Sequence, residues 1–239
     1  GVDWRIMDLD CTGPGGSSTG YVIEGNKAMR QMLALRLDAT RFKSAFSCSI
    51  ITNDHDQNFF VDCAVHHTDN KAAFIGGSRS AVLGCSMTDA GSHVLRVWHA
   101  RKFIISNNIL IDPEASGKAS LKLHNHPGLS PASEDIIVSG NTLQGDPWPL
   151  MLGPQSQSFN ELIQRVLFER NRVTVQSNGR GLRGMMLFGP DMTVRNNVFN
   201  GAGSSGDPYV AIGIEPRGNG PMPHRARVYN NTVYRNDGR

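Results

Sequence analysis

The sequence predicts an all-β right-handed solenoid of about nine stacked coils, on three observations. Its apolar residues fall in short alternating runs, and long stretches of 3.6-residue periodicity are scarce. An asparagine recurs at one strand position in five successive units. A second series of short strands interleaves with the first, and Gly-, Pro- and Ser-rich stretches join the two.

Length and composition bound the reading. The 239 residues fit one domain spanning 1–239, with no composition shift that marks a linker. Charged residues make up 19%, and glycine accounts for 26 positions. The net charge of +3 mildly favours an anionic partner. No apolar run approaches the ~18 residues that a membrane span needs. Cys11, Cys48, Cys63 and Cys85 lack CxxC spacing, which argues against a structural zinc site.

The asparagine series reads SNNIL, SGNTL, ERNRV, RNNVF and YNNTV, centred on Asn108, Asn141, Asn171, Asn197 and Asn231. The separations are 33, 30, 26 and 34 residues, and the residue two places on is apolar each time. Period-two alternation puts that residue on the same face as the asparagine. The register continues backwards through LGCSM and VDCAV, with Cys85 and Cys63 in the asparagine's place, and through LALRL (33–37) and MDLDC (7–11). Cys63 and Cys85 are thereby stacked. They read as small buried hydrophobes, with an inter-coil disulfide as the alternative.

The second series runs through TGYVIEG, SCSIITN, AAFIGGS, HVLRVWH, SLKLHN, PLMLGP, GMMLFGP and VAIGIEP. Two strands per unit of roughly 20–35 residues follow. A coil cannot bury its apolar face alone, whereas stacked coils bury a continuous core. Asparagine amides pointing inward satisfy each other and the turn backbone. A β-sandwich also gives many short strands, but it does not explain the asparagine period. The first residues already read as strand and residues 229–239 end one strand into a coil, so caps are expected to be missing or to lie outside this chain.

Residues 92–140 hold the most chemically loaded surface. Alternation puts Val22 and Glu24, Ser49 and Ile51, Phe74 and Gly76, Arg96 and Trp98, Lys122 and His124, Met186 and Phe188 on the outward face of the second series. Arg96 and Lys122 are then stacked neighbours, and so are Trp98 and His124. Stacked like charges are unfavourable and call for a counter-charge, from an anionic ligand or from a carboxylate such as Asp62, Asp89 or Glu134.

This repeat pattern and asparagine series resemble the right-handed parallel β-helix of the pectate-lyase-like superfamily. The resemblance implies a polysaccharide-active protein of extracellular, cell-surface or periplasmic location. It also implies a lyase that cleaves an acidic, uronate-containing polysaccharide by β-elimination. In that chemistry Lys122 is the expected base, Arg96 holds the carboxylate, and His124 is the acid or an alternative base. Trp98, His99, Arg101 and His126 are expected to line the substrate. The similar alginate- and chondroitin-B-type lyases also gather calcium-binding carboxylates. Here only the loop 53–58 is rich enough in oxygen to hold calcium, and it reads equally as a polar turn.

Two other functions stay open: a non-catalytic glycan-binding, adhesin or spike-type module, and a glycoside hydrolase. The hydrolase needs grouped outward carboxylates, and the strands carry only Glu24 and Glu215, far apart in the stack. His66 and His67 are neighbours on a strand, which sends them to opposite faces and gives no metal site. A scattered set of arginines does not make the continuous basic stripe that nucleic acid requires.

Overall fold

The computed structural model describes residues 3–15, 20–25, 29–48, 55–113, 118–125, 132–145, 150–152, 163–175, 183–201, 209–214 and 223–235. Each rung lies parallel to the next, and the chain winds as a β-helix. The handedness is that of parallel crossovers in general. Among the described residues no helix is long and apolar enough to cross a membrane.

Three sheets form the walls, not the two strands per unit expected from sequence. Sheet A holds Ile23–Glu24, Phe46–Cys48, Ala73–Ser78, residues 95–98, Leu121–His124, Leu150–Leu152, Arg183–Leu187 and Val210–Ile214. Sheet B holds residues 4–7 and 30–35, Asp56–Val61, Ala81–Leu83, residues 101–106, Ser133–Ser139, Ile163–Glu169, Met192–Arg195 and Arg227–Tyr229. Sheet C holds residues 9–12 and 38–40, Ala64–His66, Ser86–Ala90, Ile109–Pro113, Thr142–Gly145, Arg172–Val175, Val198–Gly201 and Thr232–Arg235. Sheets B and C therefore show nine rungs among the described residues.

The asparagines sit at the B–C corner. Each Oδ1 of Asn141, Asn171, Asn197 and Asn231 accepts from both the backbone N–H and the Nδ2 of the asparagine one coil earlier, at 2.9–3.1 Å. Asn108 Oδ1 accepts from the N–H of Cys85. Each Nδ2 also donates to a sheet-B carbonyl, from Val82, Ile105, Val138, Phe168 and Val194 in turn. A buried amide column is stable only when it is satisfied in this way. The residue before the asparagine position turns the corner with positive φ at Asp62, Gly84, Asn107, Gly140, Arg170, Asn196 and Asn230. A Cβ on Gly140 would lie 2.4 Å from Asn107 Oδ1, so a side chain there would need the preceding coil's amide to move as well as a positive φ of 68°.

The interior is one continuous cluster in which Phe46, Phe60, Phe103, Phe168 and Phe199 are almost wholly buried. Cys63 and Cys85 belong to it as free thiols, each near a carbonyl of the coil before.

The register of the early sheet-A rungs differs from expectation by two residues. Glu24 pairs with Ser47, and Ser47 with Phe74, so Ser47 and not Ser49 stands below Phe74. His66 and His67 also depart from their expected opposite faces. His67 has positive φ at the strand end and brings its Nδ1 to 3.3 Å from that of His66. The rings lean on Asp38 and Asp89 respectively.

Candidate functional site

Sheet A brings the expected pairs together. Arg96 pairs with Lys122 and Trp98 with His124, while on the preceding coil Phe74 pairs with Arg96 and Gly76 with Trp98. The aromatic rings of three successive coils meet. The Phe74 and Trp98 centroids are 4.6 Å apart, and those of Trp98 and His124 are 5.5 Å apart. The Arg96 guanidinium lies 4.7 Å from the Phe74 ring centre and 5.3 Å from that of Trp98, within cation–π range of both. Gly76 leaves room for the indole, since a Cβ there would be 2.7 Å from the Trp98 carbonyl oxygen and 3.2 Å from its ring.

His124 fixes Arg96 from the next coil. Its Nδ1 lies 3.1 Å from the Asn125 carbonyl oxygen, which can only accept, so the proton is on Nδ1. Nε2 then offers its lone pair, and Arg96 Nε donates to it at 2.9 Å. Burial holds the ring well below the usual histidine pKa, with Arg96 and Lys122 adding to the effect. Both nitrogens of the ring that the sequence reading gave as acid or alternative base are thereby engaged, one with Asn125 and one with Arg96. His93, one strand position before Val94, is likewise held neutral. Burial and then Lys122, Arg96 and Lys118 push it down to about 3, and its Nδ1 accepts the N–H of Ala119.

The outward positions are not uniformly open. Arg96, Trp98 and Phe74 are partly exposed, whereas Lys122 and His124 retain only 7% and 1% of their surface. Farther along the same face Met186 and Phe188 are also buried.

Two expected substrate contacts lie elsewhere. The pairing register shifts between Trp98 and Ala100, and His99 takes positive φ at the A–B corner. Its ring is buried, with Nδ1 3.1 Å from Asn125 Oδ1, in a corner network that includes Ser133 Oγ. Arg101 follows that corner onto sheet B, where it binds Glu134, which Arg165 also holds. His126 lies outside the described residues. Of the counter-charges considered from sequence, Glu134 is taken up by Arg101 and Arg165, and Asp89 lies against Thr88 and His67.

The calcium loop does not fit a cation among its described residues. Asp56 is held by Arg79 and Asn58 is wholly buried, while residues 53 and 54 lie outside the described set. Among the described residues no group of three or more His, Cys, Asp or Glu converges on a metal position.

Sequence reasoning missed Lys71. It precedes the Ala73–Ser78 strand, and its Nζ lies 5.4 Å from the Phe74 ring centre and 3.0 Å from Asn70 Oδ1. The recurrence of Lys43, Lys71 and Lys118 two or three residues before a sheet-A strand was the available signal.

The walls, the parallel register and the amide column define a parallel β-helix protein. No family model matches the sequence, and no curated protein matches it. Among solved structures, the chain is similar in fold to the DFA-IIIase from Arthrobacter chlorophenolicus A6 without its lid, at 12% identity and a TM-score of 0.54. It is also similar to the Dettilon tailspike protein (gp208), at 11% identity and a TM-score of 0.51. The matches cover 97% and 98% of this chain, but only 59% and 54% of those two.

Proposed function

We propose that the outer face of sheet A binds an acidic, uronate-containing glycan and cleaves it by β-elimination, as a β-helix protein of the pectate-lyase-like kind acting outside the cytoplasm. The observation that carries this reading is the pairing of Arg96 with Lys122 between two histidines held neutral by burial first and by the neighbouring cations second. A carboxylate brought there meets concentrated positive charge. Arg96, aimed by His124, binds it bidentately and makes the adjacent C5 proton more acidic. Lys122, as the neutral amine, takes that proton. The electron pair left on C5 forms the C4–C5 double bond as the C4–O bond breaks, and the departing oxygen takes a proton from the Lys122 ammonium so formed or from water. Trp98 and Phe74 offer ring faces to the sugar. The similarity in fold to a DFA-IIIase agrees with a carbohydrate-active role.

A second reading, a glycan-binding module without catalysis, is favoured by the burial of Lys122 and His124. A hydrolase is favoured least. Among the described outward positions of sheet A, Glu24 is the one carboxylate, and a hydrolase uses two.

The test is a screen of uronate polymers for the unsaturated product by ultraviolet absorbance. Turnover that disappears in Lys122→Ala and Arg96→Ala supports the lyase. Binding without turnover on any uronate polymer supports the module. Turnover unchanged in both variants overturns the site.

A further inference from the structure

Four cations from four successive coils crowd the side of sheet A where its strands begin. The Asn70 N–H donates to the Lys43 carbonyl, and the Ser92 N–H to that of Asn70, so these turns stack in register. The N–H of Val94 donates to the Ala119 carbonyl, which brings the turn bearing Lys118 level with them. Lys71 and Arg96 approach the same Phe74 ring, at 5.4 and 4.7 Å from its centre. Lys71 is partly buried, and burial followed by Arg96, Lys118 and Lys43 brings its ammonium down to about 8. Among the described residues no carboxylate pairs with Lys43, Lys71 or Lys118. A concavity of about 460 Å³ lined by Gly20, Tyr21, Glu24 and Lys43 opens on the same sheet. Partial burial of an ammonium among like charges is unfavourable unless something anionic completes the arrangement.

We propose that Lys43, Lys71 and Lys118, beside Arg96, form a second anion subsite that takes a carboxylate or sulfate ester of a polyanionic glycan. Its members run from the coil of Lys122, which Lys118 shares, through Lys71 two coils away to Lys43 three coils away, about 15 Å along the solenoid axis. The ligand then carries negative groups on neighbouring sugars, and Lys71 is the cation added at the open rim. The choice of a glycan rests on the reading above, whereas the anion subsite does not.

Calorimetric titration of the protein with an oligouronate, with dextran sulfate and with neutral dextran tests the subsite. Both anionic ligands binding, with Lys71→Gln weakening each by roughly tenfold, supports it. Lys71→Gln weakening only one identifies the preferred oxyanion and supports it too. Lys71 faces Arg96, Lys118, Lys43, Phe74 and Asn70, so wild-type affinity should fall as pH rises through about 8. Lys71→Arg should keep affinity and lose that pH dependence, because arginine stays charged. Affinity for both anionic ligands unchanged in Lys71→Gln, or neutral dextran binding equally well, overturns the subsite. Anion binding that depends on Lys71, with no turnover of any uronate, overturns the lyase while leaving the subsite standing.

Discussion

Arg96 Nε donates to Nε2 of His124 at 2.9 Å, across the gap between adjacent coils. A histidine that accepts from an arginine acts by aiming it, so removing the acceptor should free the guanidinium without removing its charge. His124→Phe keeps a ring at the position but lacks both nitrogens. It is expected to weaken oligouronate binding about tenfold, the scale of one hydrogen bond to a charged group. A melting temperature within the range of other buried-site variants would separate this from unfolding. Unchanged affinity would mean that Arg96 is held by other contacts.

His93 and His124 both make stability depend on pH in one direction. Their folded pKa values are depressed, to about 3 for His93, while the unfolded chain takes its protons near 6.5. Between those values the unfolded state binds more protons, so stability rises with pH and is lost on acidification below about 6.5. The carboxylates held low by arginine partners, Asp8, Asp135 and Asp191, add a loss of the same sign, but only at lower pH. The urea midpoint is therefore expected to fall from pH 6.5 to 4.5, by up to about 1.4 kcal/mol per pH unit for each histidine. His93→Gln should flatten this slope. A flat profile in the wild type would contradict the buried neutral state.

Gly76 is the space into which Trp98 fits. In Gly76→Ala the new methyl meets the Trp98 carbonyl oxygen and ring. Overpacking of this kind costs about 1–3 kcal/mol. The expected result is a shifted indole emission, read against a Trp98→Phe control, together with weaker glycan binding. An emission spectrum identical to wild type would show that the neighbouring strand gives way instead.

The legible part of this fold was whatever repeats with an obligatory chemical reason. An inward amide is tolerated only when the next coil supplies its partner, so Asn108 to Asn231 betray the coil period directly. Sheet B was not legible because its corners are turned by Asp62, Asn107, Arg170 and Asn196 in positive φ, without the Gly or Pro that marks a break. The strand IIS therefore ran on into the asparagine. In the site, alternation gave the Arg96–Lys122 and Trp98–His124 neighbours because parity is all that adjacency in a parallel sheet needs. Parity carries no information about cover, so the burial of Lys122 and His124 was invisible. It also fails at a register shift, which is how His99 went into the corner and Arg101 onto sheet B. Lys71 escaped because it lies in a turn, where the period-two alternation of strands does not operate and only the recurrence of a lysine before the sheet-A strands marks it.

Asn171 provides the sharpest test of the amide column. Its Oδ1 accepts from the backbone N–H and Nδ2 of Asn141, and its Nδ2 donates to Asn197 Oδ1, Val138 O and Glu169 O. Asn171→Ala removes these bonds and leaves the Asn141 N–H and one of its two Nδ2 hydrogens buried without an acceptor, the other still going to the Ile105 carbonyl. Each buried unsatisfied group costs about 1–3 kcal/mol, so a loss of several kcal/mol is expected from urea denaturation. Asn171→Asp retains the acceptor oxygen but replaces the donor with a second acceptor. It should also lose stability, with part of that loss returning at acid pH as the carboxyl regains a proton to donate. Asn231→Ala, at the partly exposed end of the column, should cost less, because water replaces the lost partner. Equal losses at Asn171 and Asn231 would mean that the amides do not act through burial.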